Sequence, residues 1–229
     1  MDGRFRLFGI PVEVSILFFV TVVLIRPRRS AGDAALVAAW VVVAFVSVLL
    51  HELGHALAGR AFGQHPRIRL FAMGGVTSWR AREPLSAWKR TVIAAAGPSV
   101  GIVLGAAAWA TSVVSGLKRR DGPAAVVLED FVFANFGWGV FNLLPMMPLD
   151  GGNIMAAVLE GLAGRHGRRL ARVVSILFAV AVAVLLASAG AYVATALCAL
   201  FVYANIQGLR AEFQAPATTR PETAAGPES

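Results

Sequence analysis

The feature that most constrains this chain is an apolar run from Ala34 to Gly59 that contains three ionisable side chains near its end. At 1.5 Å per residue, a helix over this run is long enough to cross a bilayer. The three side chains belong to His51, Glu52 and His55. Charged groups inside a membrane span cost roughly 2.5 to 3.5 kcal/mol each, so they are rare there and usually functional. The run therefore predicts a membrane helix that carries a polar site.

The spacing of these three residues indicates a metal site. His51 and His55 are four residues apart, so they lie on one face of a helix. Two imidazoles placed in this way suit Zn²⁺, which in catalytic sites takes three protein ligands and keeps a position open for water. Glu52 would accept the proton of that water. The pattern predicts a zinc hydrolase, and the alternative is a helix end at which the same side chains face water or cap a loop.

The composition agrees with a membrane protein. Of 229 residues, 57% are hydrophobic and 15% are charged, against about 25% charged in soluble domains. The net charge of +8 does not indicate nucleic acid, because the basic residues stand in short clusters between apolar runs, as topology signals do. The single cysteine, Cys198, lies in an apolar run, which excludes an internal disulfide and indicates a packed side chain.

Uncharged segments along the chain predict an all-α polytopic membrane protein with about six transmembrane helices. The segments are residues 14–25, 34–59, 91–117 and 131–149, and the two halves of 173–209 on either side of a turn at Ser188-Ala-Gly190. Residues 165–172 are predicted to form a basic connector. A membrane-embedded domain is expected over residues 1–212, and the Pro, Thr, Ala and Glu of residues 213–229 predict a disordered cytoplasmic tail.

Six spans would place both termini on the same side of the membrane. That side would carry 15 of the 21 Lys and Arg residues, which predicts cytoplasmic termini in a multi-pass protein of the cell membrane. The helix with the two histidines and the segment that ends near residue 150 would then both run toward the cytoplasm. Their polar residues are therefore expected at a similar depth.

Two β-prone runs flank Gly74-Gly75 and predict a small membrane-associated β-hairpin near residues 67–79. Residues 5–14 predict a short strand or an interfacial lead-in. A hairpin at the mouth of a membrane site offers an open edge on which an extended peptide can pair as an added strand. The alternative is a plain re-entrant or interfacial loop.

Asp150 is the best candidate for the third zinc ligand. Pro145 and Pro148 break the helix before it, and two glycines follow it. Irregular backbone inside a membrane is tolerated only where protein or a water-filled cavity satisfies it. The alternative is an aspartate that caps the next helix. Asn142 could reach the same cavity and donate from its amide to the scissile carbonyl oxygen, or it could form an interhelical hydrogen bond.

These motifs resemble the site-2 protease family of intramembrane zinc metalloproteases. The resemblance rests on His51-Glu-Leu-Gly-His55 in one span and on Asn-Leu-Leu-Pro-Met-Met-Pro-Leu-Asp-Gly-Gly, which begins at Asn142, in a later span. It implies that the two histidines and Asp150 hold one zinc ion and that Glu52 is the general base. It also implies single-span substrates, such as membrane-tethered regulators, that are cleaved within or near the bilayer.

Two other functions remain open at this point. A zinc transporter would bind metal transiently through the same residues and would not need Glu52 as a base. Transporters usually have polar residues across several spans, whereas the outer halves of these spans are almost purely apolar. A catalytically silent protein that binds membrane clients would keep the motif without the reaction.

Overall fold

The structure is a computed structural model that describes residues 3–27, 32–80, 85–116 and 122–214. The chain is mostly helical, with a small sheet. The strands are β1 (Gly3–Leu7), β2 (Ile10–Val14), β3 (His65–Phe71) and β4 (Gly74–Arg80). The helices are α1 (Ile16–Leu24), α2 (Ala34–Ala61), α3 (Ala87–Val114), α4 (Pro123–Val132), α5 (Trp138–Asn142), α6 (Asp150–Ser188) and α7 (Tyr192–Gln214), with a π-helical turn (Phe133–Gly137) between α4 and α5.

Within the described ranges, four helices are long and apolar enough to cross a membrane. They are α2, α3, the continuous stretch Pro123–Asn142, and α6. Large apolar side chains such as Val103, Leu177 and Leu185 are exposed on these helices, as lipid-facing positions require. The nine residues of α1 span about 14 Å, which is less than half of the hydrocarbon core. The chain is therefore a membrane protein, although the expected six spans exceed these four helices.

The prediction for residues 165–172 is wrong. They are helical and belong to α6, which instead kinks at Ala163 and Gly164, where Gly164 has a φ of +55°. Two of the four arginines in this stretch have acidic partners that favour the helix: Arg168 pairs with Glu160 at 2.8 Å and Arg172 with the Glu212 carboxylate at 2.7 Å. The predicted turn at 188–190 is present, since α6 ends at Ser188 and α7 begins at Tyr192.

The four strands form one sheet in the order β1-β2-β3-β4. The hairpin predicted at 67–79 is present as β3 and β4, which pair antiparallel. Its turn lies at residues 72–73, and the two glycines belong to β4 rather than to the turn. The lead-in at 5–14 is a second hairpin, β1 with β2, and β2 pairs parallel with β3. The sheet is therefore larger than the single hairpin that the sequence predicts.

The sheet packs on α1 and α2 through one apolar face. Alternate residues of β2 and β3 are buried there, as the two-residue period of a strand requires. Hydrophobic side chains of the two helices complete this core, which consists of Ile10, Val12, Val14, Phe18, Val22, Trp40, Ala44, Leu53, Ala56, Ile68 and Leu70. Two of these residues, Leu53 and Ala56, flank the predicted zinc ligands, so the core fixes the sheet against the end of α2.

Candidate active site

The last turns of α2 are enclosed by protein. Every residue from position 51 to position 56 is buried, including His51, Glu52 and His55. The strands β3 and β4 pack against α2, and α3 also packs against it. The three ionisable side chains therefore face protein rather than lipid, as functional polar residues in a membrane do.

Three side chains converge on one point at the end of α2. Nε2 of His51 lies 3.2 Å from Nε2 of His55. The two carboxylate oxygens of Asp150 lie 3.0 Å and 3.3 Å from these nitrogens. In a tetrahedral zinc site with bonds of about 2.0 Å, ligand atoms lie about 3.3 Å apart. The donor set and its spacing therefore fit a zinc ion, and these three residues could hold one together.

The backbone of α3 orients the His55 ring. Nδ1–H of His55 donates to the carbonyl oxygen of Ile93 at 2.7 Å, which leaves the lone pair of Nε2 available to a metal. Gly97 lies against the same ring, and a Cβ at position 97 would overlap Nε2 of His55. The glycine is needed because the backbone of α3 approaches the ring this closely.

Strand β4 holds Glu52. The hydroxyl of Thr77 donates to Oε2 of Glu52 at 2.6 Å and lies 3.0 Å from the Glu52 carbonyl oxygen. Gly75 lies two residues earlier on the same face of β4, where a Cβ would sit 2.6 Å from Oε1. The side chain of Glu52 is thus fixed by one hydrogen bond and by the close approach of the strand.

Asp150 reaches the two histidines from the start of α6. It is the first residue of that helix, where a carboxylate also interacts favourably with the helix dipole. Gly151 and Gly152 follow it, and a Cβ at either position would overlap the backbone of residues 143–147. The turn before α6 is therefore packed tightly. It brings Asp150 into contact with His51, although the two residues are 99 positions apart in the chain.

Asn142, the fifth predicted site residue, is the last residue of α5 and is buried. The turn of residues 143–149 separates it from Asp150. The convergence of His51, His55 and Asp150 does not include it, so its role stays a prediction.

Three polar residues near the site, Thr77, Ser47 and Asn135, were not predicted from the sequence. Thr77 was readable in principle, because it follows Gly75 at the two-residue period of a strand. Ser47 and Asn135 were not readable in this way. Asn135 lies in the π-helical turn, and its side-chain amide donates to the Ser47 hydroxyl at 2.8 Å. The two residues are 88 positions apart in the chain, so no local pattern connects them. Ser47 lies one helical turn before His51 on α2.

The fold and the site together define the class: a helical membrane protein whose His-Glu-x-x-His helix meets an aspartate of a later helix in a donor set that fits zinc. The chain belongs to Peptidase family M50, whose sequence model matches residues 39–118 and 121–188. This confirms the resemblance to site-2 proteases.

The similar proteins include solved and curated relatives. The solved structure of the site-2 protease from Methanocaldococcus jannaschii matches with a TM-score of 0.64 and 26% identity, over 96% of this chain and 99% of that one. A curated zinc metalloprotease of Methanocaldococcus jannaschii is 32% identical over 157 residues, which are 68% of this chain and 44% of the relative. Rip3 of Mycobacterium tuberculosis is 32% identical over 178 residues, 72% of this chain and 44% of Rip3. The chain thus spans less than half the length of these curated relatives.

Proposed function

We propose that this chain is an intramembrane zinc metalloendopeptidase that hydrolyses peptide bonds within or near the transmembrane segment of membrane-protein substrates. The observation that carries the proposal is the convergence of His51, His55 and Asp150 within 3.0–3.3 Å, with Glu52 next to it on a helix apolar enough to span a membrane. In this proposal the two histidines and Asp150 hold the metal, and Glu52 is the general base.

Each side chain has a separate task in the proposed reaction. Bound zinc supplies a Lewis acid for the scissile carbonyl and makes a water molecule more acidic. Glu52 takes up the proton of the attacking water, and Thr77 keeps its carboxylate in place. Asn142 donates from its amide to the oxygen on which negative charge develops. A zinc transporter would have no use for the hydrogen bond that fixes Glu52.

The open edge of β4 supports substrate binding by strand addition, in which an extended peptide pairs with the sheet. Among the described strands, β4 pairs only with β3, so its other edge is open. Gly75 and Thr77 of this same strand contact Glu52, so a peptide paired along β4 would pass beside the base. Pairing requires an extended substrate, whereas the backbone groups of a helix are already engaged. Helix-breaking residues in the substrate are therefore expected to favour cleavage.

The membrane topology completes the proposal. We place six spans in residues 1–212, with α7 and α1 added to the four long apolar helices, and both termini in the cytoplasm. The short α1 would cross where the bilayer is locally thinned. The side that holds 15 of the 21 Lys and Arg residues then faces the cytoplasm. Water would reach the site from that side, and a single-span substrate, such as a membrane-tethered regulator, would enter from the bilayer.

The test compares membrane-protein fragments by mass spectrometry in cells that express the wild type or Glu52→Gln. Fragments that end within a span and appear only with the wild type would support the proposal. Glu13→Gln, a change to a surface glutamate of β2 that pairs with Arg4, is the matched control and should cleave like the wild type. Identical profiles for the wild type and Glu52→Gln, with zinc bound in both, would favour transport or client binding.

A further inference from the structure

The turn before Asp150 is held in its middle by two buried polar side chains from distant parts of the chain. The N–H of Met147 donates to the hydroxyl oxygen of Ser175 at 3.1 Å. The carbonyl oxygen of Met147 accepts from the side-chain amide of Asn205 at 2.7 Å. We call these two hydrogen bonds the Met147 clamp. Ser175 belongs to the second half of α6 and Asn205 to α7, so the clamp joins three segments.

The two polar side chains are not incidental to packing. Ser175 has 0% and Asn205 has 2% of its surface exposed, and burial of polar groups is unfavourable unless they form hydrogen bonds. Other hydroxyls of this chain bond within their own helix to the carbonyl four residues earlier, as in Ser99 and Thr111. Ser175 instead contacts a residue 28 positions earlier.

Movement of Met147 would be transmitted to Asp150. Only two residues lie between them, and the N–H of Leu149 donates to the carbonyl of Met146 at 2.8 Å. Met146 is fully buried. A Cβ at Gly152 would overlap the backbone of residues 146 and 147, so the turn touches the first turn of α6 directly. The turn therefore has little freedom to shift without also shifting the carboxylate of Asp150.

We propose that Ser175 and Asn205 are positioning residues that set the place of the metal ligand Asp150 through the Met147 clamp. The inference rests on the proposed function, in which Asp150 is a zinc ligand. It makes α7, which contributes no ligand, necessary for full metal affinity. Partners of metal ligands in other proteins typically change metal affinity 10–100-fold when they are removed.

The test measures zinc affinity of the purified full chain by competition with a chelator. Ser175→Ala and Asn205→Leu are each expected to weaken zinc binding about tenfold or more. Ser188→Ala is the matched control, because Ser188 lies in the same helix but bonds only locally, to the Leu185 carbonyl, and it should bind like the wild type. His51→Ala should lose the metal and calibrates the assay.

A second measurement separates positioning from general stability. The melting temperature is recorded with and without zinc, since a ligand stabilises the folded state by a free energy that decreases as its affinity decreases. A purely structural role would lower both temperatures equally, whereas the clamp predicts a smaller zinc-induced increase. The visible spectrum of the Co²⁺-substituted protein should also change in Ser175→Ala and Asn205→Leu and not in Ser188→Ala.

The outcomes separate this inference from the proposed function. Wild-type zinc affinity and a wild-type cobalt spectrum in both clamp variants would overturn the clamp. If Ser175→Ala does not fold, Ser175→Cys, whose thiol is a similar-sized but weaker acceptor, takes its place, and wild-type affinity there would equally refute the clamp. Equal zinc binding by the wild type and His51→Ala would refute the metal site itself. Zinc binding without any proteolysis would refute only the proposed activity.

Discussion

The contact between Gly75 and Glu52 allows a sharp test of the general base. In Gly75→Ala, the new Cβ would lie 2.5 Å from Cγ of Glu52, whereas ordinary contacts begin near 3.4 Å. The strand or the side chain must therefore move by about 0.9 Å. A misplacement of about 1 Å can cost a catalytic group on the order of 10²-fold in rate, which corresponds to about 2.7 kcal/mol of activation free energy.

We expect Gly75→Ala to lower kcat about 100-fold and to leave the zinc content at the wild-type level. Zinc should stay because the atoms nearest to a Cβ at position 75 all belong to Glu52. The assay uses purified protein in lipid vesicles with a substrate found by the fragment comparison, and zinc is measured on the same samples. Rates over a range of substrate concentrations separate kcat from KM, since β4 is also the proposed substrate edge.

The matched control for this experiment is Gly59→Ala. Gly59 is also a buried glycine beside the sheet, but there a Cβ would find its nearest neighbour at 3.8 Å, in the Trp79 ring. This variant should fold and cleave like the wild type. A kcat for Gly75→Ala within about twofold of the control, in folded protein, would refute the placement of Glu52 beside β4. Loss of zinc from Gly75→Ala would refute the separation of base and ligands.

Four further variants follow from the same geometry. Gly97→Ala should displace the His55 ring and lower zinc content, since a Cβ there overlaps Nε2, and zinc retained at wild-type affinity would contradict this contact. Glu52→Gln should keep zinc and abolish cleavage, whereas Asp150→Ala should weaken zinc binding, and equal zinc in these two variants would exclude Asp150 as a ligand. Thr77→Val removes the 2.6 Å hydrogen bond to Glu52 while keeping the shape, so kcat should fall at least tenfold, because bonds to charged groups contribute about 1.5–3 kcal/mol.

Local patterns made much of this site predictable. His51 and His55 are one helical turn apart, so their convergence depends only on α2, and the structure brings both together with Asp150. The hairpin and the turn after Ser188 follow from glycine-containing signals of a few residues. Asp150 was predictable because broken helix next to an acidic residue is rare inside a membrane.

The features that the sequence did not predict depend on contacts between distant segments. The parallel pairing of β2 with β3 joins strands separated by two helices, which no local pattern encodes. Residues 165–172 were predicted to form a connector because four basic side chains are unfavourable in a span. Two of them, Arg168 and Arg172, pair with Glu160 and Glu212, and the helix continues. Thr77 was readable as a residue on the same face of β4 as Gly75, but its contact with Glu52 depends on how β4 lies over α2.

Different structural elements contact the predicted general base and the predicted zinc ligands. Gly75 and Thr77, both on β4, contact Glu52. Gly97 lies against His55, and in our proposal the Met147 clamp positions Asp150. In a membrane, close backbone packing and hydrogen bonds must replace the hydrophobic effect between helices, and these contacts are of both kinds. Metal affinity and turnover should therefore be separable by mutation. A change on β4 that removes zinc as thoroughly as Gly97→Ala would show instead that base and ligands move as one unit.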